Sequence, residues 1–294
     1  MLKKLFNKNT APMLGVFSLG LLLALPIRAY QYVKIIEPHT GFYKDSGFTV
    51  YLLYAVLALA FLLIYFLSMA KKSEIAFIFN AEKRMFVGFA SLYVSVAMVL
   101  DAINMANNFN LLYYGVQSAS SNEISNLTMR AGAIPMLLQA IFAIVAALFF
   151  LVLALDFFTG RNNGEKLKLL ALSPLVWAIF RILHRFMRTI SFLRVSDLFF
   201  ELVCLVFLML FFLAFAQLVA RVNHRGTDWR MVAHGLNAAL MCLLCFVPRF
   251  AMSVTGYADR LVSLSPPEQI DLALSVFILA FILNKVKFSV GKDA

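Results

Sequence analysis

Charged residues are scarce in this chain, and that scarcity defines its class. Only 14% of the 294 residues are Asp, Glu, Lys or Arg, whereas 62% are hydrophobic and the mean hydropathy is +0.85. Soluble domains carry roughly 25% charged and about 45–50% apolar residues. A chain with so little polar surface cannot cover a water-soluble fold, so the composition excludes a soluble domain and indicates an integral membrane protein.

Cysteine and catalytic motifs are equally scarce. The three cysteines, Cys204, Cys242 and Cys245, all lie in apolar runs, and the C-x-x-C of the last two has neither a second Cys pair nor a flanking His. We therefore expect buried thiols that act as small apolar residues. The chain also lacks H-E-x-x-H, G-x-S-x-G and a D-x-D metal pair, and its histidines are scattered. The sequence predicts no enzymatic activity, no cofactor and no metal site.

Among the few charges, basic residues dominate. Lys and Arg number 26 against 15 Asp and Glu, a net charge of +11. In a multi-pass membrane protein this excess reflects positive cytoplasmic loops and contact with anionic lipids. We expect the lipid bilayer and its anionic lipids as partners and no nucleic acid. A membrane-protein partner or a homo-oligomer stays open.

Long apolar runs are what the sequence has in abundance, since one bilayer crossing needs about 20 residues. The first run follows three lysines and has no A-x-A cleavage pattern, so we expect an uncleaved anchor helix. Seven runs of crossing length are residues 11–27, 48–70, 86–106, 132–155, 196–220, 231–250 and the short 270–284. No soluble domain is inserted between them, which predicts a single integral membrane domain over residues 1–294.

Residues 168–186 are the ambiguous eighth segment. Their uninterrupted apolar stretch, 169–180, has the length of a re-entrant or interfacial helix, which would leave seven crossings. The positive-inside rule fits both alternatives equally well. A helix over 168–186 would be about 28 Å long, and its terminal Arg and His side chains can snorkel. We therefore predict an all-α, polytopic transmembrane bundle of about eight helices, with both termini cytoplasmic and residues 189–195 outside.

The first loop carries a resemblance to known proteins. Arg28 to Tyr32, then Glu37, Pro38, His39, Thr40, Gly41, Phe42 and Tyr43, precede a helix from Phe48. This segment resembles the opening of a large group of uncharacterised multi-pass proteins of Clostridia-type Firmicutes, which commonly place an acidic-Pro-x-Thr-Gly turn between their first two helices. Residues 173–178 and 197–220 are similar to that group's second half. The resemblance implies a Gram-positive plasma membrane and no particular activity.

Polar residues at membrane depth are the candidate functional residues, because a charge there costs from about 2.5 kcal/mol upward. Asp101 and Asn104, three residues apart near the expected outer end of the third helix, share a face. Asp197 and Glu201, four apart, begin the sixth helix, where acids also complement the helix dipole.

A basic group precedes the two acids of the sixth helix. Arg181, Arg185 and Arg188 follow i, i+4, i+7 spacing and form one helical face. Guanidinium groups match carboxylates and phosphates, so the alternatives are an anion site, an Arg185–Glu201 salt bridge between helices, or headgroup anchoring. For Arg249, after Pro248, we expect an interfacial snorkelling cation.

Two classes of function fit these features. The sequence favours a non-enzymatic membrane scaffold or sensor component, whose polar pairs hold helices together. The alternative is a secondary transporter or solute-binding membrane protein with an externally accessible, anion-favouring basic site. A cavity lined by Arg181, Arg185 and Glu201 would support the second class, and mutual pairing of Arg185 with Glu201 without such a cavity would support the first.

Overall fold

The protein is described by a computed structural model, which covers residues 11–38, 40–44, 47–72, 75–77, 83–118, 123–160, 168–187, 195–220, 226–257 and 267–288, without the side chains of 76–77, 112–131, 195 and 285–288. The described helices are α1 (Ala11–Tyr30), α2 (Phe48–Ala70), α3 (Met85–Ser118), α4 (Glu123–Thr159), α5 (Ser173–Met187), α6 (Val195–Val219), α7 (Thr227–Val254) and α8 (Gln269–Lys285). A π-helical turn, Gln31–Ile35, extends α1, and a 3-10 turn, Leu170–Leu172, precedes α5.

Seven of these helices are long and apolar enough to cross a membrane, and α8 is a shorter apolar helix. The predicted all-α transmembrane bundle of about eight helices is confirmed. The ambiguous segment is among the seven, because the 3-10 turn and α5 together make an 18-residue span, Leu170–Met187.

The described chain forms two compact units. The first contains α1, α2, α6, α7 and α8. It also holds two short antiparallel strands, β1 (Ile75–Phe77) after α2 and β2 (Val286–Phe288) after α8, which pair Ile75 with Phe288 and Phe77 with Val286. The second unit contains α3, α4 and α5, with α4 packed against both of the others.

In the first unit α7 is the central helix. It packs against α1, α2 and α8. In its most apolar stretch 83% of the residues are buried, against 28% in that of α2. Small residues on α7, such as Gly235, Ala238 and Ala239, let its neighbours approach closely, as in other membrane bundles. The outward side of α2 instead exposes large apolar side chains, which suits a lipid-facing surface.

The close approach at Gly235 gives a stability prediction. A Cβ atom there would lie 2.9 Å from Ile282 Cδ1 and 3.0 Å from Phe211 Cδ2. Gly235→Val should therefore overpack α7 and lower the free energy of unfolding by about 1–3 kcal/mol. Gly15→Val is the matched control, because Gly15 is exposed in α1 and a Cβ atom there would meet nothing within 4 Å. Equal denaturation midpoints for the two variants in mixed detergent micelles would contradict this packing.

Candidate functional site

Four charged side chains meet in the interior of the first unit. Arg28, Asp197, Glu201 and Arg249 are 2%, 1%, 7% and 2% exposed, and we call them the ion cluster. Two guanidinium groups face two carboxylates, so the cluster is electrically neutral. Buried charges are tolerated in proteins when they are paired in this way.

Asp197 is the hub of the ion cluster. Its Oδ1 accepts hydrogen bonds from Arg28 Nη2 and, at 2.7 Å, from the Tyr32 hydroxyl. Its Oδ2 lies 3.6 Å from Nη2 of Arg249. Arg249 in turn reaches Glu201, with 2.7 Å between Nη1 and Oε1, and its Nε donates to the Tyr32 oxygen at 3.2 Å. Tyr32 thus accepts a hydrogen bond from Arg249 and donates one to Asp197, which Arg28 also binds.

A second layer of contacts orients Arg28. Its Nη1 donates to Gln31 Oε1 at 3.0 Å and to the Tyr43 hydroxyl at 3.1 Å. The guanidinium carbon lies 4.7 Å from the Tyr32 ring centre and 4.5 Å from that of Phe200, within the range of cation–π attraction. Both terminal nitrogens of this guanidinium therefore have polar partners, and two aromatic rings lie close to it.

Local backbone features bring these residues to one end of the unit. Asp197 and Glu201 are one turn apart on α6, so both carboxylates lie on the same face. Arg28 and Arg249 lie near the C-terminal ends of α1 and α7. In the π turn the Ile36 N–H bonds the Gln31 carbonyl at 2.7 Å. Single π-helical turns are found frequently at functional sites.

The first loop folds as a tight hairpin beside the cluster. Ile36 and Tyr43 form an isolated antiparallel bridge, and Gly41 turns the chain with φ 68°, a left-handed conformation that favours glycine. The Ser196 hydroxyl donates to the Gly41 carbonyl at 3.0 Å, which ties the turn to the start of α6. This hairpin therefore brings the Tyr43 hydroxyl within hydrogen-bond distance of Arg28.

The second unit contains a separate buried carboxylate, which with its two bonding partners we call the Asp101 site. Gln139 Nε2 and Trp177 Nε1 both donate to Asp101 Oδ2, at 3.1 and 2.9 Å, so the site joins α3, α4 and α5. The Arg181 guanidinium carbon lies 5.0 Å from the Trp177 ring centre. Trp177 thus contacts a carboxylate at its N–H edge and a guanidinium at its ring.

The predicted site residues divide between the two units. Asp197 and Glu201 belong to the ion cluster, whereas Arg181 and Arg185 belong to the second unit. Arg188 lies outside the described residues. The structure pairs Glu201 with Arg249, and the Arg185–Glu201 salt bridge, one of the three alternatives for the basic group, stays a hypothesis.

Two expectations about individual residues are corrected. Arg249 is not an interfacial snorkelling cation, because it is 2% exposed and bonded to both acids of the cluster. Asp101 is not near the end of its helix, because α3 continues beyond the apolar run to Ser118. On that helix Asp101 is buried but Asn104 is exposed, so the two do not form one polar site.

Arg28 and Tyr32 were missed as site residues, although one signal was available. Acids at membrane depth require nearby positive charge; Arg249 lies within the predicted run 231–250, and Arg28 directly follows the predicted run 11–27. Sequence spacing favoured Arg185 as a partner of the acids on α6 because it is close to them along the chain, whereas Arg28 and Asp197 are 169 positions apart.

The three cysteines are buried, as predicted. Cys204 and Cys242 bring α6 and α7 together with 3.4 Å between their sulfur atoms. Within the described ranges, no group of three or more His, Cys, Asp or Glu side chains is arranged to hold a metal ion.

The architecture defines a class: a multi-pass helical membrane protein with a neutral ion cluster buried at one end of its first unit. Comparison with known proteins adds nothing to that class, since no family model, curated protein or solved structure matches the chain.

Proposed function

We propose that this protein is a non-enzymatic scaffold or sensor component of the plasma membrane, in which the ion cluster holds α1, α6 and α7 together. The observation that supports the proposal is that the cluster's two carboxylates and two guanidinium groups bond to one another. An anion-binding site would instead present guanidinium N–H groups to an incoming ligand.

Both arginines already have partners inside the cluster. Arg28 uses both terminal nitrogens on Asp197, Gln31 and Tyr43, and Arg249 uses all three nitrogens on Tyr32, Asp197 and Glu201. A ligand would have to displace these partners. The arrangement therefore favours a structural role over solute binding.

The location and partners are part of the same proposal. The lysines before α1 support a cytoplasmic N-terminus, eight crossings then place the C-terminus on the same side, and the resemblance of the first loop supports a Gram-positive plasma membrane. The exposed apolar side chains of α2 suit the lipid bilayer with its anionic lipids, or a membrane-protein partner or second copy of the chain.

A double-mutant cycle on Arg249 and Glu201 tests the structural role. Each single change, Arg249→Met or Glu201→Leu, leaves buried charge without its partner and should lower the free energy of unfolding by about 3–5 kcal/mol. The double variant should lose less than the sum of the two. Arg230→Met is the control, because Arg230 is an exposed arginine on the same helix.

The same variants distinguish the alternative function. Denaturation is repeated with phosphate or acetate, because a ligand that binds the native state stabilises it by RT ln(1 + [L]/Kd). The scaffold or sensor proposal expects no stabilisation by either anion. Anion-dependent stabilisation that Arg249→Met abolishes, together with additive losses in the cycle, would instead favour a solute-binding protein.

A further inference from the structure

The Asp101 site places a carboxylate close to the middle of the membrane-spanning part of α3. That span is Met85–Leu111, so its central residue is 98, and Asp101 is about 5 Å from it at 1.5 Å per residue. Its partner Trp177 is equally central in the span Leu170–Met187. An ionisable group at this depth is a functional-site candidate by default.

The carboxylate of Asp101 has hydrogen-bond donors but no ion-pair partner. Within the part of the chain that the structure describes, its contacts are Gln139 Nε2 and Trp177 Nε1, and no Lys, Arg or His lies within ion-pair distance. Asp101 differs in this respect from Asp197 and Glu201, which meet arginines. Buried charges without a protein partner are normally neutralised or bound to a metal ion.

Gln139 supplies a second oxygen at the same place. It is 1% exposed, and its Oε1 has no hydrogen-bond partner among the described residues, although the Nε2 of the same amide is bonded to Asp101. The amide that carries this oxygen is therefore in direct contact with the carboxylate. A carboxylate and an amide oxygen are both oxygen acceptors of the kind that a hard cation binds.

From these observations we propose that Asp101 and Gln139 bind a monovalent cation of the sodium type inside the second unit. Carboxylate and amide oxygens are ligands of hard cations, and a monovalent ion carries a charge equal and opposite to that of one carboxylate. The proposal is independent of the ion cluster and of the proposed function, because it concerns residues of the other unit.

Trp177 is a built-in reporter for this site. The chain has two tryptophans, so Trp229→Phe leaves Trp177 as the only one, and its N–H contacts the proposed ligand Asp101 directly. The purified Trp229→Phe protein is titrated with sodium chloride against choline chloride at constant ionic strength. We expect a saturable change in Trp177 emission with sodium and none with choline.

Three variants in that background assign the response. Asp101→Asn should abolish it, and Gln139→Leu should shift its midpoint to higher sodium. Asn104→Ala, which removes an exposed polar group one turn along α3, should leave it unchanged. If Asp101→Asn does not fold, the titrations of the Trp229→Phe protein and of Gln139→Leu still decide.

Several results would overturn the proposal. Identical emission in sodium and choline would contradict cation binding and would mean that an ordered water bonds Gln139 Oε1. An emission change that follows pH in choline, without a sodium effect, would mean that a proton and not a cation neutralises Asp101. A sodium response that survives Asp101→Asn would place any bound cation elsewhere.

Discussion

Asp197→Ala is expected to lower the free energy of unfolding by about 3–5 kcal/mol, because it removes the hub of the ion cluster. The change leaves Arg28 and Arg249 buried with one carboxylate between them and removes the acceptor of the Tyr32 hydroxyl. Denaturant titration of the purified protein in mixed micelles measures the loss.

A matched control separates this role from helix capping. Asp228 lies in the first turn of α7 as Asp197 lies in that of α6, but it is only partly buried. An acid that only complements the helix dipole contributes about 0.3–1 kcal/mol, so Asp228→Ala should have a small effect. Similar losses for the two variants would mean that Asp197 is merely an acid at a helix start.

Tyr257→Cys is expected to react with a membrane-impermeant maleimide in intact cells. The result is all-or-none, and labelling would place the end of α7 outside. The ion cluster supplies the reason. It joins the C-terminal end of α1 to the N-terminal part of α6, and Gln31 Nε2 bonds the Thr49 carbonyl at the start of α2. The 23 residues of α2 then carry the chain about 34 Å away from the cluster.

The chain must return across the membrane before α6 begins. Because α2 ends on the side opposite the ion cluster and α6 begins at the cluster, the chain between them must cross an odd number of times. That part of the chain contains α3, α4 and α5, so α5 crosses if α3 and α4 do. With a cytoplasmic N-terminus, Tyr257 is then external. If α5 did not cross, Tyr257 would be internal.

Controls for the labelling come from the same chain. Pro38→Cys should label and Lys72→Cys should not, whichever number of crossings holds. The native cysteines are buried, so the unaltered protein sets the background. Protection of the Tyr257 cysteine while Pro38→Cys reacts would contradict eight crossings. Ser191, in the predicted external segment 189–195, lies outside the described residues and is a second labelling position.

Helix existence and approximate length followed from the sequence alone. The predicted run 48–70 coincides with α2, and the runs 196–220 and 270–284 differ from α6 and α8 by a single residue at each end. The physical reason is that the bilayer core imposes nearly the same length on every crossing helix, whatever it packs against. Helices that continue into polar sequence were underestimated, because backbone hydrogen bonding does not stop where hydrophobicity does. Thus α3 runs to Ser118 rather than ending at residue 106.

The partners of the polar residues were decided only by the tertiary structure. Periodicity correctly identified Asp197 and Glu201 as residues that share a face, since that relation depends on helical geometry alone. Which arginines neutralise them depends on how α1, α6 and α7 pack, over separations such as the 169 positions between Arg28 and Asp197. The same holds for Asp101, whose contacts with Gln139 and Trp177 come from two other helices. Helix formation is local and hydrophobicity adds up along the chain, so the sequence alone determines where the membrane-spanning helices lie. Charge pairing instead depends on distances between side chains that exist only once the helices have packed.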